Sequence, residues 1–385
     1  MVDTALTSGQ RWRGVAAATG CISIVGLMSG LTWPLLALRL DAQGVDSRWV
    51  GLSASAQALS IMLVAPLAPR FVRRLGIIRS IAGCLAAAAT ALLLLPLIPD
   101  LYAWFPIRFL LGAASSTIFI IGEIWIIQVS PPHIRGRVVG LFGSVWGGCF
   151  AAGPLIIRLT GVAGWAPFLA GVVIMLAAVL PLPFAQGGTP RIDSPSRLGL
   201  VRLFRAAPAT LLAVFMLAIL DTVNDSFVPL YGLRNGLDQG AAVTLLTVLL
   251  AGLTCAQLPA GLLADRIDRR RFLIGIVVVI ILLELSLPVA VRSSWAYWPV
   301  VAAIGASVGS LWVVSLLLVG ERYHGADIAA ANAARAVLYG IGAVCGPSLA
   351  GLAFDLWNPH GLPLAVAAIG LLYLPVAVLA ERPRD

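Results

Sequence analysis

Long apolar stretches, each closed by a few charged, proline or glycine positions, recur from one end of the chain to the other. Twelve are long enough to cross a hydrocarbon layer of about 30 Å as helices. They cover residues 14–38, 47–68, 77–98, 103–129, 138–160 and 164–184, then 208–231, 240–263, 272–291, 295–319, 331–353 and 361–380. Between the two sets of six the pattern breaks. Residues 185–207 are polar and basic, with Pro190, Arg191, Pro195, Arg197, Arg202 and Arg205. This predicts an all-α membrane protein of 12 transmembrane helices in two six-helix bundles, residues 1–184 and 208–385, joined by a linker at 185–207.

The two bundles echo each other in sequence. A charged hinge, Gly261-Leu-Leu-Ala-Asp265-Arg266-Ile-Asp268-Arg269-Arg270-Arg271, separates two apolar runs. A weaker version, Ala65-Pro-Leu-Ala-Pro69-Arg70-Phe-Val-Arg73-Arg74, sets Arg70, Arg73 and Arg74 at 196 residues before Arg266, Arg269 and Arg270. Helix 5 contains Gly148-Cys-Phe-Ala-Ala-Gly153-Pro154, and helix 11 contains Gly342-Ala-Val-Cys-Gly346-Pro347-Ser-Leu-Ala-Gly351, with the Gly-Pro pairs 193 residues apart. A duplicated chain with parallel halves accounts for both offsets. Gly136, Gly140, Gly143, Gly147 and Gly148 give helix 5 a run of small residues. Such spacing lets backbones approach closely, either for tight packing or as a smooth face over which a bundle can rock.

Composition narrows the class. Of 385 residues 60% are apolar and 11% charged, with a mean hydropathy of +0.97, whereas a soluble globule carries about 25% charged residues. The net charge of +9 comes from 26 basic residues, all arginine, in short clusters between apolar runs. That distribution does not form the single basic face a nucleic acid would need. The five cysteines, Cys21, Cys84, Cys149, Cys255 and Cys345, all sit in apolar runs without a Cys-x-x-Cys pair or a histidine partner, so neither disulfides nor a metal site is expected. No nucleophile motif or phosphate-binding loop points to an enzyme or a cofactor. Arg13 and Ala18 are too close for the apolar core of a signal peptide, so the start of the chain reads as helix 1. With both termini in the cytoplasm, Arg39, Arg48, Arg158, Arg234 and Arg292 fall toward the outside, Arg108 and Arg335 lie inside helices, and the other arginines collect at cytoplasmic loops and tails. That bias predicts cytoplasmic termini in a bacterial inner membrane.

The pattern Gly-x-x-x-Asp-Arg-x-x-Arg-Arg between two membrane helices resembles the signature loop of the major facilitator superfamily, found there between helices 2 and 3 and again between helices 8 and 9. Asp268 replaces the usual second glycine and Pro69 replaces the first-half aspartate, so the role of that aspartate carries to Asp265 alone. The resemblance implies a gating loop of Asp265, Arg266, Arg269 and Arg270. Asp265 would accept hydrogen bonds from the start of helix 11, where the helix dipole favours an anion. The second Gly-Pro stretch is similar to the motif many antiporters of the superfamily carry in helix 5, while helix 5 here lacks the trailing glycines and has Arg158. It implies a helix-packing role for Gly153, Pro154, Gly346 and Pro347. Arg108-Phe-Leu-Leu-Gly112-Ala-Ala-Ser is similar to the helix 4 arginine motif, linked to proton coupling in exporters. Pro69 to Arg79, Glu123 with Trp125, Ala331-Asn332-Ala333 and Tyr339-Gly340 together resemble a little-described bacterial subgroup.

Six ionisable residues lie inside predicted helices: Arg108, Glu123, Asp221, Asp225, Glu284 and Arg335. A charge at the bilayer centre costs about 2.5–3.5 kcal/mol on insertion scales, so each needs a partner, water or neutralisation. Arg108 and Asp225 stand at matching depths of ~8–9 Å from the outer ends of helices 4 and 7, at 1.5 Å per residue. Since the superfamily lines its central cavity with helices 1, 4, 7 and 10, those two are candidates to pair. Asp221, Asn224 and Asp225 fall on one stripe of helix 7, a substrate or proton site. Glu123 and Arg335 lie about equally deep from the inner side, as an ion pair or with Glu123 carrying a proton; Arg135 or Arg137 are alternative partners. Glu284, in a normally peripheral helix, is expected to pack or to stay protonated. Trp33, Trp125, Trp146, Trp312 and Tyr339 either line a pathway or pack.

These readings predict a secondary transporter of a small organic solute working by alternating access, coupled to protons through Asp221, Asp225 and Glu123. Export of an amphipathic compound is preferred over symport or uncoupled uptake. The rival from another class is a membrane regulator or scaffold that has lost transport. Expected partners are the solute, protons and the lipid bilayer, with no nucleic acid, and the expected assembly is a monomer.

Overall fold

A computed structural model describes residues 8–64, 67–130, 135–185, 208–322 and 326–379. The first part of the chain forms α1 (Ser8–Ala42), α2 (Ser47–Val64), the short α3 (Ala68–Leu75), α4 (Ile77–Leu97), α5 (Leu101–Val129), α6 (Arg135–Thr160) and α7 (Ala166–Ala177). The second part forms α8 (Pro208–Arg234), α9 (Gln239–Ala264), α10 (Arg269–Ala290), α11 (Ser294–Arg322), α12 (Ala326–Leu356) and α13 (Gly361–Leu379). Apolar run and helix coincide because backbone polar groups in hydrocarbon must be satisfied within the segment, which a helix does.

Loop aspartates start several of these helices. Asp100 accepts from Ala103 N at 2.8 Å, Asp238 from Gly240 N at 3.0 Å and Asp268 from Arg271 N at 2.8 Å. Each satisfies a backbone donor that the first turn leaves open. Asp268, which departs from the superfamily's glycine, is therefore the N-cap of α10.

Among the described residues, eleven of the twelve expected spans are long and apolar enough to cross a membrane. The one that falls short is α2, with 18 residues and a polar content of Ser47, Arg48, Ser53, Ser55, Gln57 and Ser60. Its polar side chains are spent on protein rather than lipid. Ser55 Oγ donates to Val344 O at 2.5 Å, and Ser60 Oγ to Gln57 O at 2.6 Å. Where a helix face is turned to protein it does not need an apolar surface.

Two compact units emerge. Unit 1 comprises residues 1–35 and 56–194, and unit 2 comprises residues 36–55 and 195–385. The tip formed by the end of α1 and the start of α2 thus clusters with the second half of the chain. There Asp355 accepts from Ser47 N at 3.0 Å and Arg48 N at 2.9 Å, capping α2 from the end of α12. A Cβ on Gly51 would stand 2.0 Å from Pro347 O, and Arg234 pairs with Asp41. The expected linker is 185–207; apart from Ala185 it lies outside the described residues.

In unit 1, α6 lies against α1 so closely that a Cβ on Gly153 would come within 2.5 Å of the Gly30 carbonyl carbon and Leu31 N. In unit 2, α12 lies against α8 in the same way, where a Cβ on Gly346 would meet Thr222 Oγ1 at 2.9 Å and Ile219 Cα at 3.0 Å. Without a hydrophobic drive between helices in lipid, such close approach gives the van der Waals contact that holds them together.

Candidate functional site

The 193-residue repeat carries more than the Gly-Pro pairs. In unit 1, Phe119 of α5 faces Phe142 and Trp146 of α6, with ring centroids 6.5 and 5.2 Å away. Moving each position on by 193 gives Trp312 of α11 with Arg335 and Tyr339 of α12. The Arg335 guanidinium sits 4.5 Å from the Trp312 ring centroid, and Tyr339 meets Trp312 edge-on at 6.5 Å. The same three places on the duplicated scaffold therefore hold an all-apolar cluster in unit 1 and a charged, hydroxyl-bearing one in unit 2.

Tyr339 extends that second cluster to α8. Its Oη donates to Asp221 Oδ2 at 3.1 Å. Asp225 follows one turn later on the same face, so two half-buried carboxylates stand next to a phenol and near an arginine. Like charges at this spacing repel, and uptake of a proton or of a cationic group by either one relieves that. The site needs its aromatic walls, because Trp312 offers the arginine a π face where water would otherwise solvate it.

Asn224, expected to complete the same polar face, lies elsewhere. It is 5% exposed and lines a separate cavity with Tyr231, Glu284 and Tyr297. Arg108 is fully buried in unit 1, where its Nε donates to Gln57 Oε1 of α2 at 3.3 Å. The adjacent Gly112 leaves room for that helix, since a Cβ there would lie 2.5 Å from Gln57 O. Glu123 of α5 is exposed. It belongs to unit 1 and Arg335 to unit 2.

The hinge residues also find partners. Asp265 pairs with Arg269 at 3.5 Å within its own loop. Arg269 Nε also donates to Ala264 O at 3.5 Å, while Arg266 lies exposed in the turn. Arg270 donates to Ala377 O at 3.2 Å and to Val378 O, closing the last carbonyls of α13. A cation is favoured there by the negative end of the helix. The start of α12, the expected partner of Asp265, has side chains outside the described residues.

The sequence singles out Asp221, Arg335, Trp312 and Tyr339 one at a time without joining them. The signal that joins them is the 193-residue offset, which Gly153-Pro154 and Gly346-Pro347 already display. No comparable signal marks Gln57, Tyr231, Tyr297 or His360.

The profile of the Major Facilitator Superfamily matches residues 18–256 and 210–385. The chain belongs to this superfamily and is a multi-pass membrane transporter. A Bacillus subtilis (strain 168) protein named as the uncharacterized MFS-type transporter YfkF is 23% identical over 340 residues, covering 86% of each chain. An uncharacterized MFS-type transporter of Yersinia pestis (strain Pestoides F) is 26% identical over 346 residues, covering 88% of each. Among solved structures, a bacterial homolog of the human lysosomal transporter Spinster, inward-facing and unoccupied, superposes with a TM-score of 0.76 at 15% identity over 96% of both chains. A point mutant of the nucleoside transporter NupG superposes with a TM-score of 0.77 at 12% identity over 96% of this chain and all of that one. At these identities the two structures speak to the fold alone.

Proposed function

We propose that the chain is a proton-coupled secondary transporter that exports a small amphipathic organic solute across a bacterial inner membrane, with both termini in the cytoplasm. Asp221 and Asp225 are the coupling carboxylates, Tyr339 orients Asp221, and Arg335 on Trp312 sets the charge balance beside them. The observation that carries this reading is the Tyr339–Asp221 hydrogen bond of 3.1 Å. A transporter that had become a scaffold has no use for carboxylates and an arginine that cost free energy to insert. Arg108 is assigned to proton coupling by its likeness to the helix 4 motif, and Asp265 to the gate by its likeness to the signature loop.

The test begins with a melting-temperature screen of purified protein against amphipathic solutes at two pH values. Solutes that stabilise are then loaded into proteoliposomes with a pH-sensitive dye inside. Export coupling predicts that solute and proton move in opposite directions. Movement in the same direction assigns a symporter, and solute flux without proton movement removes the coupling claim.

A further inference from the structure

Unit 2 holds a second polar site, set apart from Asp221 and Asp225. Glu284 of α10 is 3% exposed, and it lines a small cavity with Asn224 and Tyr231 of α8 and Tyr297 of α11. The cavity has a volume of about 20 Å³, enough for one water, which needs ~10–15 Å³ and two or more polar neighbours. Two of the lining groups, Asn224 Nδ2 and Tyr297 Oη, have no hydrogen-bond partner among the described residues. An N–H and an O–H facing one void require a lone pair, which a water supplies and a bare metal ion does not. The second hydroxyl, Tyr231 Oη, lies 3.1 Å from His360 Nδ1. His360 is half-buried at the loop just before α13, so it links the cavity to the end of the bundle.

We propose that His360, Tyr231, a water in this cavity and Glu284 form a proton relay that ends on Glu284. A protonated His360 gives its Nδ1 proton to Tyr231 Oη as the phenol passes its own proton to the water. The water then passes one to the carboxylate. The net change is one proton taken from solvent and one Glu284 carboxylate turned into a carboxylic acid. Among the described residues, the titratable groups of the cavity wall are Glu284, Tyr231 and Tyr297 of α11. α9 contributes Leu249 to that wall, and Tyr373 of α13 donates its hydroxyl to Ala209 O at 2.9 Å. The relay goes beyond the coupling role of Asp221 and stands whether or not transport is proton-driven, because it is read as protonation of one residue.

The experiment is a pH jump on protein in lipid vesicles, followed by time-resolved infrared absorption of the protonated carboxyl group. Acidification is expected to raise a band that Glu284→Gln removes and Glu284→Asp displaces. Tyr231→Phe and His360→Gln are expected to leave its final height unchanged while slowing its rise by about 100-fold, the low end of what a positioned proton-transfer group contributes. Rates unchanged in both relay variants would overturn the relay, and they stay readable if the Gln variant does not fold. A band that survives Glu284→Gln, or that sodium erases at constant pH, would overturn the site.

Discussion

The two units use one scaffold for different ends. In unit 1, α6 lies on the glycines of α1, and Phe119, Phe142 and Trp146 fill the space beside them, with Trp146 stacked on Phe150 at 5.3 Å. In unit 2, α12 lies on α8 by the same Gly-Pro register, but Trp312, Arg335 and Tyr339 stand where those aromatics stood, and Asp221 stands opposite. Near the matching level of α1 the chain has Gly26 and Gly30, and a Cβ on Gly26 would strike the Trp146 ring at 2.8 Å. The position 193 residues before Asp221 is Met28, buried and apolar, so unit 1 carries no acid there. Duplication thus preserved the packing that holds neighbouring helices and let one copy take up the charges.

That contrast is most sharply broken by exchanging the two sets. Phe142→Arg puts a cation among aromatics with no carboxylate opposite. It is expected to lower stability by roughly 2.5–3.5 kcal/mol, the insertion cost of a central charge, seen as a fall in folded yield on size-exclusion chromatography. The reverse exchange, Arg335→Phe, is expected to fold as well as wild type and to lose solute transport. Next, Gly153→Leu forces α6 from α1, an overpacking cost of about 1–3 kcal/mol. Gly346→Leu should cost a similar amount, and a large difference in melting temperature between the two variants would end the claim of equivalent registers. Tyr339→Phe removes one hydrogen bond, worth about 1 kcal/mol, and is expected to reduce coupled transport while the melting temperature moves little. Arg270→Ala has the smallest effect, about 0.3–1 kcal/mol from the uncapped end of α13, read as earlier proteolysis of the C-terminal helix with transport retained.

Most of this architecture was legible in the amino-acid pattern, because a span must be both apolar and helical to sit in lipid. α2 is the expected span with the weakest apolar character, for a physical reason: Ser55 and Gln57 bond to protein, so that part of the helix surface need not be apolar. The site was legible in parts. Charges in an apolar helix announce themselves by cost, and Asp221, Asp225, Glu284 and Arg335 were found that way. Their grouping depends on which side each helix turns. Asn224, one residue from Asp225, turns to Glu284 and Tyr297 instead. Asp355 was invisible as a cap because the helix start it serves lies about 300 residues earlier, at Ser47 and Arg48.

The most direct measurement compares Asp221→Asn with wild type in proteoliposomes, recording solute exchange at equal pH and solute accumulation under a pH gradient. If unit 2 carries the coupling, exchange persists and accumulation disappears. Accumulation at the wild-type level would contradict the account and return the coupling to unit 1.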